Sequence, residues 1–175
     1  TIDKVSSINE IKENSLVFSK NKNIDDIKCK ALILVPLDFD YIFNSTYAII
    51  KVKNPRLEFA KIVNRFFVKP IKPGIHDSTI VGENCVIDPS VNIGSNCVIG
   101  DNVKISRNTK INNNVTLHDN TNLGVNCYIK SGSVIGEDGF GFELEEDGTP
   151  LRIPHIGNVT IGNDVEVGSN TVIAR

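Results

Sequence analysis

A parallel β-helix preceded by a small α/β domain is the fold class this sequence predicts, on three observations. From Ile75 to Phe140 the chain counts in sixes, and Ile75, Val81, Ile87, Ile93, Ile99, Ile105, Ile111, Leu117, Leu123, Ile129 and Ile135 are all aliphatic. Four places after each stands a small or β-branched residue: Thr79, Cys85, Val91, Cys97, Val103, Thr109, Val115, Thr121, Cys127, Ser133 and Gly139. The place between holds Ser78, Asn84, Ser90, Asn96, Asn102, Asn108, Asn114, Asn120, Asn126, Gly132 and Asp138. Those residue types tolerate positive φ or bond to their own turn backbone. A period of six fits neither a helix of 3.6 residues nor a long alternating strand. It fits a short strand and a corner, repeated.

The slots have distinct tasks. A large aliphatic points inward and stacks on its counterpart one coil away, at the strand spacing of about 4.8 Å. A small residue shares that interior, where two large ones would overfill it. Three faces of six make a coil of 18, so the eleven hexads amount to about three and two-thirds coils. One coil cannot bury its own inner face, so stability comes from stacking. These residues are scaffold.

Composition bounds the rest. A chain of 175 residues holds one or two domains. Its net charge of −2, with no Lys/Arg cluster, points to neither nucleic acid nor an anionic membrane surface. No signal peptide and no bilayer-spanning apolar run stand out. The absence of Met and the start at Thr1 predict a fragment. Cys85, Cys97 and Cys127 fall in the small interior slot, Cys29 stands alone, and no C-x-x-C pair exists. Neither metal nor disulfide is predicted, and reduced cysteines agree with a cytoplasmic location.

The first unit, residues 1–70, reads as small α/β. Ala31–Val35 and Ala48–Val52 are short buried-strand candidates. Asn54 and Pro55 supply an N-cap and an N1 proline for a helix over 56–67. Leu57, Phe59, Ala60, Ile62, Val63, Phe66 and Phe67 give that helix a broad apolar face. A linker with two prolines and a glycine, residues 69–74, leads into the β-helix of 75–175.

A family resemblance follows from particular residues. An α/β cap carries Asn54-Pro55-Arg56 with Phe59-Ala60; Pro73-Gly74-Ile75-His76 follows, and then hexads broken once by Asp138-Gly139-Phe140-Gly141-Phe142. Ile153-Pro154 and the resumed hexads Ile161-Gly162-Asn163-Asp164 and Val167-Gly168-Ser169-Asn170 complete the pattern. This order closely resembles the UDP-3-O-acylglucosamine N-acyltransferases of lipid A biosynthesis, over nearly the whole chain. The resemblance implies a left-handed coil and a parallel homotrimer with active sites between subunits. It also implies a cap that stacks uridine between two aromatics. Phe18 and Asn21 match the family's aromatic and asparagine positions, whereas Ile24 replaces the second aromatic. Phe18 is thus either a base-stacking residue or a core aromatic.

The resemblance further implies a histidine as general base, in an Ile-Ala-His-Asn hexad, deprotonating the sugar amine that attacks an acyl thioester. His76, His118 and His155 stand in other contexts. His118 has only the adjacent Asp119 as a carboxylate fixed by sequence. No catalytic residue is therefore assigned, the base is expected beyond residue 175, and the fragment is expected to be inactive. Residues 141–154 interrupt the sixes as a loop, a usual place for binding function. Phe140 and Phe142 are candidate substrate-binding residues, facing a neighbouring subunit or an acyl chain; packing on their own coil is the alternative.

The activity expected of the intact protein is transfer of a hydroxyacyl chain to the amine of a UDP-3-O-acylglucosamine. The donor is acyl carrier protein, and no bound cofactor is expected. One alternative is an acyl-CoA-dependent N-acyltransferase for an O-antigen or glycan nucleotide sugar. It gains weight from Ile24 and from Ala174, where the family has an acidic residue before the arginine. A second alternative is a non-catalytic trimeric β-helix used for binding or assembly.

Overall fold

The computed structural model describes residues 1–20, 24, 27–40 and 45–175. The chain divides into two compact units, Thr1–Pro70 and Ile71–Arg175.

The first unit is a four-stranded parallel sheet in the order β1 (Lys4–Val5), β2 (Ser15–Phe18), β3 (Ala31–Pro36), β4 (Ala48–Val52). The helix α1, Pro55–Phe66, packs on β2 and β3. Parallel strands covered on both faces read as unbroken apolar runs, which is why Ala31–Val35 was visible as a strand. Ile24, Ala31, Ile33, Val35 and Phe39 form one core cluster. The helix begins where its cap dictates, with the Asn54 side chain accepting the Leu57 N–H at 3.1 Å and proline at N1. Its apolar face is broader than its cover. Leu57 is 49% exposed and Phe66 70%.

The second unit is the expected parallel β-helix. Its three ladders are 74–75, 92–93, 110–111, 128–129 and 166–167; 80–81, 98–99, 116–117, 134–137 and 172–174; and 86–87, 104–105, 122–123 and 160–161. Every pairing among them is parallel, and successive partners such as Lys104 and Asn122 are one coil apart. Ile93, Ile99, Ile111, Leu117, Ile129 and Ile135 are buried in one continuous core with Val91, Val103 and Val115. Ile75 and Val81 remain exposed because no coil precedes theirs in the stack.

The corners obey the residue types predicted for them. Asn84, Asn96, Asn102, Asn108, Asn114, Asn120 and Asn126 all sit at φ between 55° and 61°. Asparagine visits this region at less cost than most residues. Ser78 and Ser90 turn differently: each backbone N–H is taken by a side chain two residues back, His76 Nδ1 and Asp88 Oδ1.

The small interior slot has a further regularity. Thr79, Cys85, Cys97 and Thr109 each donate to a backbone carbonyl 15 residues on, those of Gly94, Gly100, Asn112 and Gly124, at 2.7–3.0 Å. Cys127 and Ser133 do the same to Gly162 and Gly168, now 35 residues on. The added 20 residues are the excursion. It leaves at an irregularity between Ile135 and Glu137, earlier than the sixes in the sequence end, and the core resumes at Val159. Its body is an antiparallel hairpin of Phe142–Leu144 and Pro150–Arg152.

Candidate functional site

In the first unit, Phe18 ends β2 half-buried, its ring 5.0 Å from that of Phe59 on α1 at 52°. The aromatic beside Phe18 is therefore supplied by the helix. Asn21 lies outside the described residues. Ile24 is 6% exposed and belongs to the sheet's core cluster, so its side chain is committed to packing.

In the second unit, charged residues gather at the root of the excursion. The Asp138 carboxylate accepts from Arg175 Nε at 2.8 Å and pairs with the second Arg175 nitrogen at 2.7 Å, both on Oδ1. Its Oδ2 takes Arg152 at 2.9 Å. The hydrogen bond from Arg175 holds the Asp138 carboxyl below the usual range; the charges of Arg175, Arg152 and His155 add to it, and partial burial opposes it. Arg152 lies on the returning strand and Arg175 on the next coil. One carboxylate thus ties both ends of the excursion to the stack.

The histidines find partners that spacing did not reveal. His155 shares a hydrogen bond between Nδ1 and the Arg175 carbonyl at 3.1 Å, and its Nε2 is buried without a partner. A methyl group on Gly139 would stand 2.6 Å from His155 Cε1, so the backbone of the Gly-Phe-Gly-Phe run lies directly against the imidazole. His118 Nε2 meets Glu137 Oε2 at 3.0 Å, one coil further on. Adjacent Asp119 is occupied instead, accepting the Asp101 N–H at 2.8 Å. His76 is bound within its own turn by Ser78. The 18-residue step alone would set His118 against Gly136; the register irregularity between Ile135 and Glu137 brings Glu137 to it instead.

Above this network the two rings stand free. Phe140 is 95% exposed and Phe142 46%, with centroids 5.1 Å apart and planes tilted by 59°. Phe140 does not pack into its own coil. Leu144, Leu151, Ile153 and Ile156 are exposed on the same excursion, an apolar concentration of the kind that marks contact surfaces. Among the described residues no group of three His, Cys, Asp or Glu side chains could hold a metal ion. Among the described residues no helix is long and apolar enough to cross a membrane.

An 18-residue parallel step, aliphatic columns and asparagine corners define a hexapeptide-repeat protein. The family model for the bacterial transferase hexapeptide (six repeats) matches residues 78–113. A UDP-3-O-acylglucosamine N-acyltransferase of Fusobacterium nucleatum subsp. nucleatum is 44% identical over 192 residues, covering 99% of this chain and 57% of that protein. Proteins of the same name from Coxiella burnetii are 41% identical over 143 residues, 71% of this chain and 42% of theirs. One from Chlorobium chlorochromatii is 60% identical over 47 residues, 27% of this chain and 13% of its own length. The chain is similar to UDP-3-O-acylglucosamine N-acyltransferases over almost its whole length and spans about half the length of the relatives it matches.

Proposed function

We propose that the intact protein acylates the amine of a UDP-3-O-acylglucosamine with a hydroxyacyl chain carried by acyl carrier protein, in the cytoplasm. The observation that carries this reading is 44% identity across 99% of the chain to a protein of that name. In the reaction the amine nitrogen attacks the thioester carbonyl, a C–N bond forms and the C–S bond breaks. The amine proton passes to a general base, and the carrier thiol departs with a proton. None of His76, His118 and His155 is assigned as that base, because none stands in the Ile-Ala-His-Asn hexad that the resemblance implies for it.

In this reading Phe18, beside Phe59, stacks the uracil, with Asn21 following it in sequence. Phe140 and Phe142 meet an acyl chain or a neighbouring subunit. A homotrimer is supported by the outward column Ile80, Val98, Thr116, Val134 and Val172 on one solenoid face, apolar but for Thr116, where Ile80 is 66% and Val172 64% exposed. Sedimentation should then give three copies, and Val172→Glu should reduce them to one.

Titration with UDP-sugar tests the site. Phe18→Ala should weaken binding about 5–150-fold, the effect of losing roughly 1–3 kcal/mol of base stacking. A large fall in melting temperature with unchanged affinity would show Phe18 to be core and sink the assignment. Competing acyl carrier protein and acyl-CoA donors against each other, with the intact enzyme, decides the donor.

A further inference from the structure

Between Thr79 and Ser133 seven small interior slots carry a hydroxyl or thiol, and six of them donate to the carbonyl one residue past the next coil's aliphatic. Thr121 is the exception. Its Oγ1 is buried with no hydrogen-bond partner. By the rule its acceptor is the Gly136 carbonyl. Thr79 and Thr109 also accept the N–H of Cys97 and Cys127, 18 residues on, so Thr121's missing donor is the Gly139 N–H.

Both missing partners lie at the root of the excursion. Gly136 takes φ +89° at the register irregularity, with its backbone so close that an added methyl would stand 2.9 Å from Thr121 Oγ1 and 3.1 Å from His118 Cβ. The amino-acid pattern nevertheless continues there. Ile135 fills the large slot, and Gly139 suits the small one. Asp138 stands at the corner position, a conformation aspartate adopts at Asp164, φ 57°. Residues 136–139 therefore encode four positions of a hexad that the observed backbone does not form. Competing bonds hold the observed arrangement: Arg152 and Arg175 on Asp138, His118 on Glu137, and the Asp138 N–H on Glu137 Oε1 at 2.9 Å.

We propose that residues 136–139 are a two-position latch. In the position described above, Asp138 is clamped by the two arginines and the Thr121 hydroxyl is stranded. In the other, the Gly136 carbonyl and the Gly139 N–H close on Thr121 Oγ1 as in the other coils, Asp138 leaves the arginines, and Phe140 and Phe142 are carried to a new place. Thr121 is a positioning residue for those rings. The latch goes beyond acyl transfer and stands whether or not the rings meet an acyl chain.

Hydrogen exchange resolved to the Gly139 amide tests it in the parent chain, Asp138→Asn, Thr121→Val and the double variant. Releasing the clamp with Asp138→Asn should slow Gly139 exchange about tenfold. Thr121→Val, which keeps the branched shape and removes the hydroxyl, should abolish that slowing, and Thr121→Ser should restore it. If Asp138→Asn does not fold, Arg152→Gln on the exposed hairpin loosens the same carboxylate. No slowing in the clamp variants, or slowing that persists without the Thr121 hydroxyl, overturns the latch.

Discussion

Thr109 and Thr121 occupy equivalent interior slots, yet one hydroxyl is bonded on both sides and the other on neither. Thr109→Val should leave the Gly124 carbonyl and the Cys127 N–H unpaired and cost about 1–3 kcal/mol in a denaturant melt. Thr121→Val removes an orphan, so its cost should stay within about 0.5 kcal/mol. Equal losses for the two would mean that the Thr121 hydroxyl is bonded in solution. Ile24 stands where the family pattern has its second aromatic. Restoring an aromatic there should not build a base sandwich, because the side chain is inside the core. Ile24→Tyr should destabilise the first unit by about 1–3 kcal/mol through overpacking, read as a lower melting temperature. Single residues were legible where one local rule decides them, as at the corner asparagines from Asn84 to Asn126 and the Asn54 cap. They were not where the partner comes from another coil, as for His118 and Glu137.

At the scale of elements, the excursion is fastened by charge rather than by packing, so its behaviour should follow Asp138. A carboxyl held below its ordinary value stabilises the clamp at pH above its unfolded pKa of about 3.9 and loses it as pH falls through the lower folded value. His118, Glu137, Arg152, His155 and Arg175 are the other ionisable groups of this root. The chain has no tryptophan, so Phe140→Trp provides a single tryptophan on the exposed ring position, excited selectively over the three tyrosines. Its emission should be flat from about pH 5 to 8 and change only below about pH 4, with that change absent in Asp138→Asn. A transition near neutral pH would transfer control to a histidine. The presence of an interruption was plain in the sequence, because the sixes stop. Its root was not: Gly136 leaves the coil while the pattern still fits it, and the arginines that hold Asp138 lie on the returning strand and on the next coil.

For the whole second unit, stability resides in neighbour-to-neighbour stacking, and phase matters more than length. Deleting residues 94–111 removes one complete coil and joins Ile93 to Asn112 with every aliphatic still inward. That variant should melt cooperatively at a lower temperature. Deleting 94–102 shifts the inward residues by half a hexad and should abolish cooperative melting. The coil period was legible because side-chain volume enforces it at each step, whereas handedness and trimer formation entered only through family resemblance. The same arithmetic bears on the excursion. Across it Asn122 pairs with Thr160, Tyr128 with Glu166 and Val134 with Val172, so all three faces skip the same stretch and resume in phase. The stack takes no account of what is inserted, only that the two ends meet at one corner. That corner is a socket: a segment of another length or chemistry whose ends close the same gap can be plugged in, and the columns above it will not register the exchange.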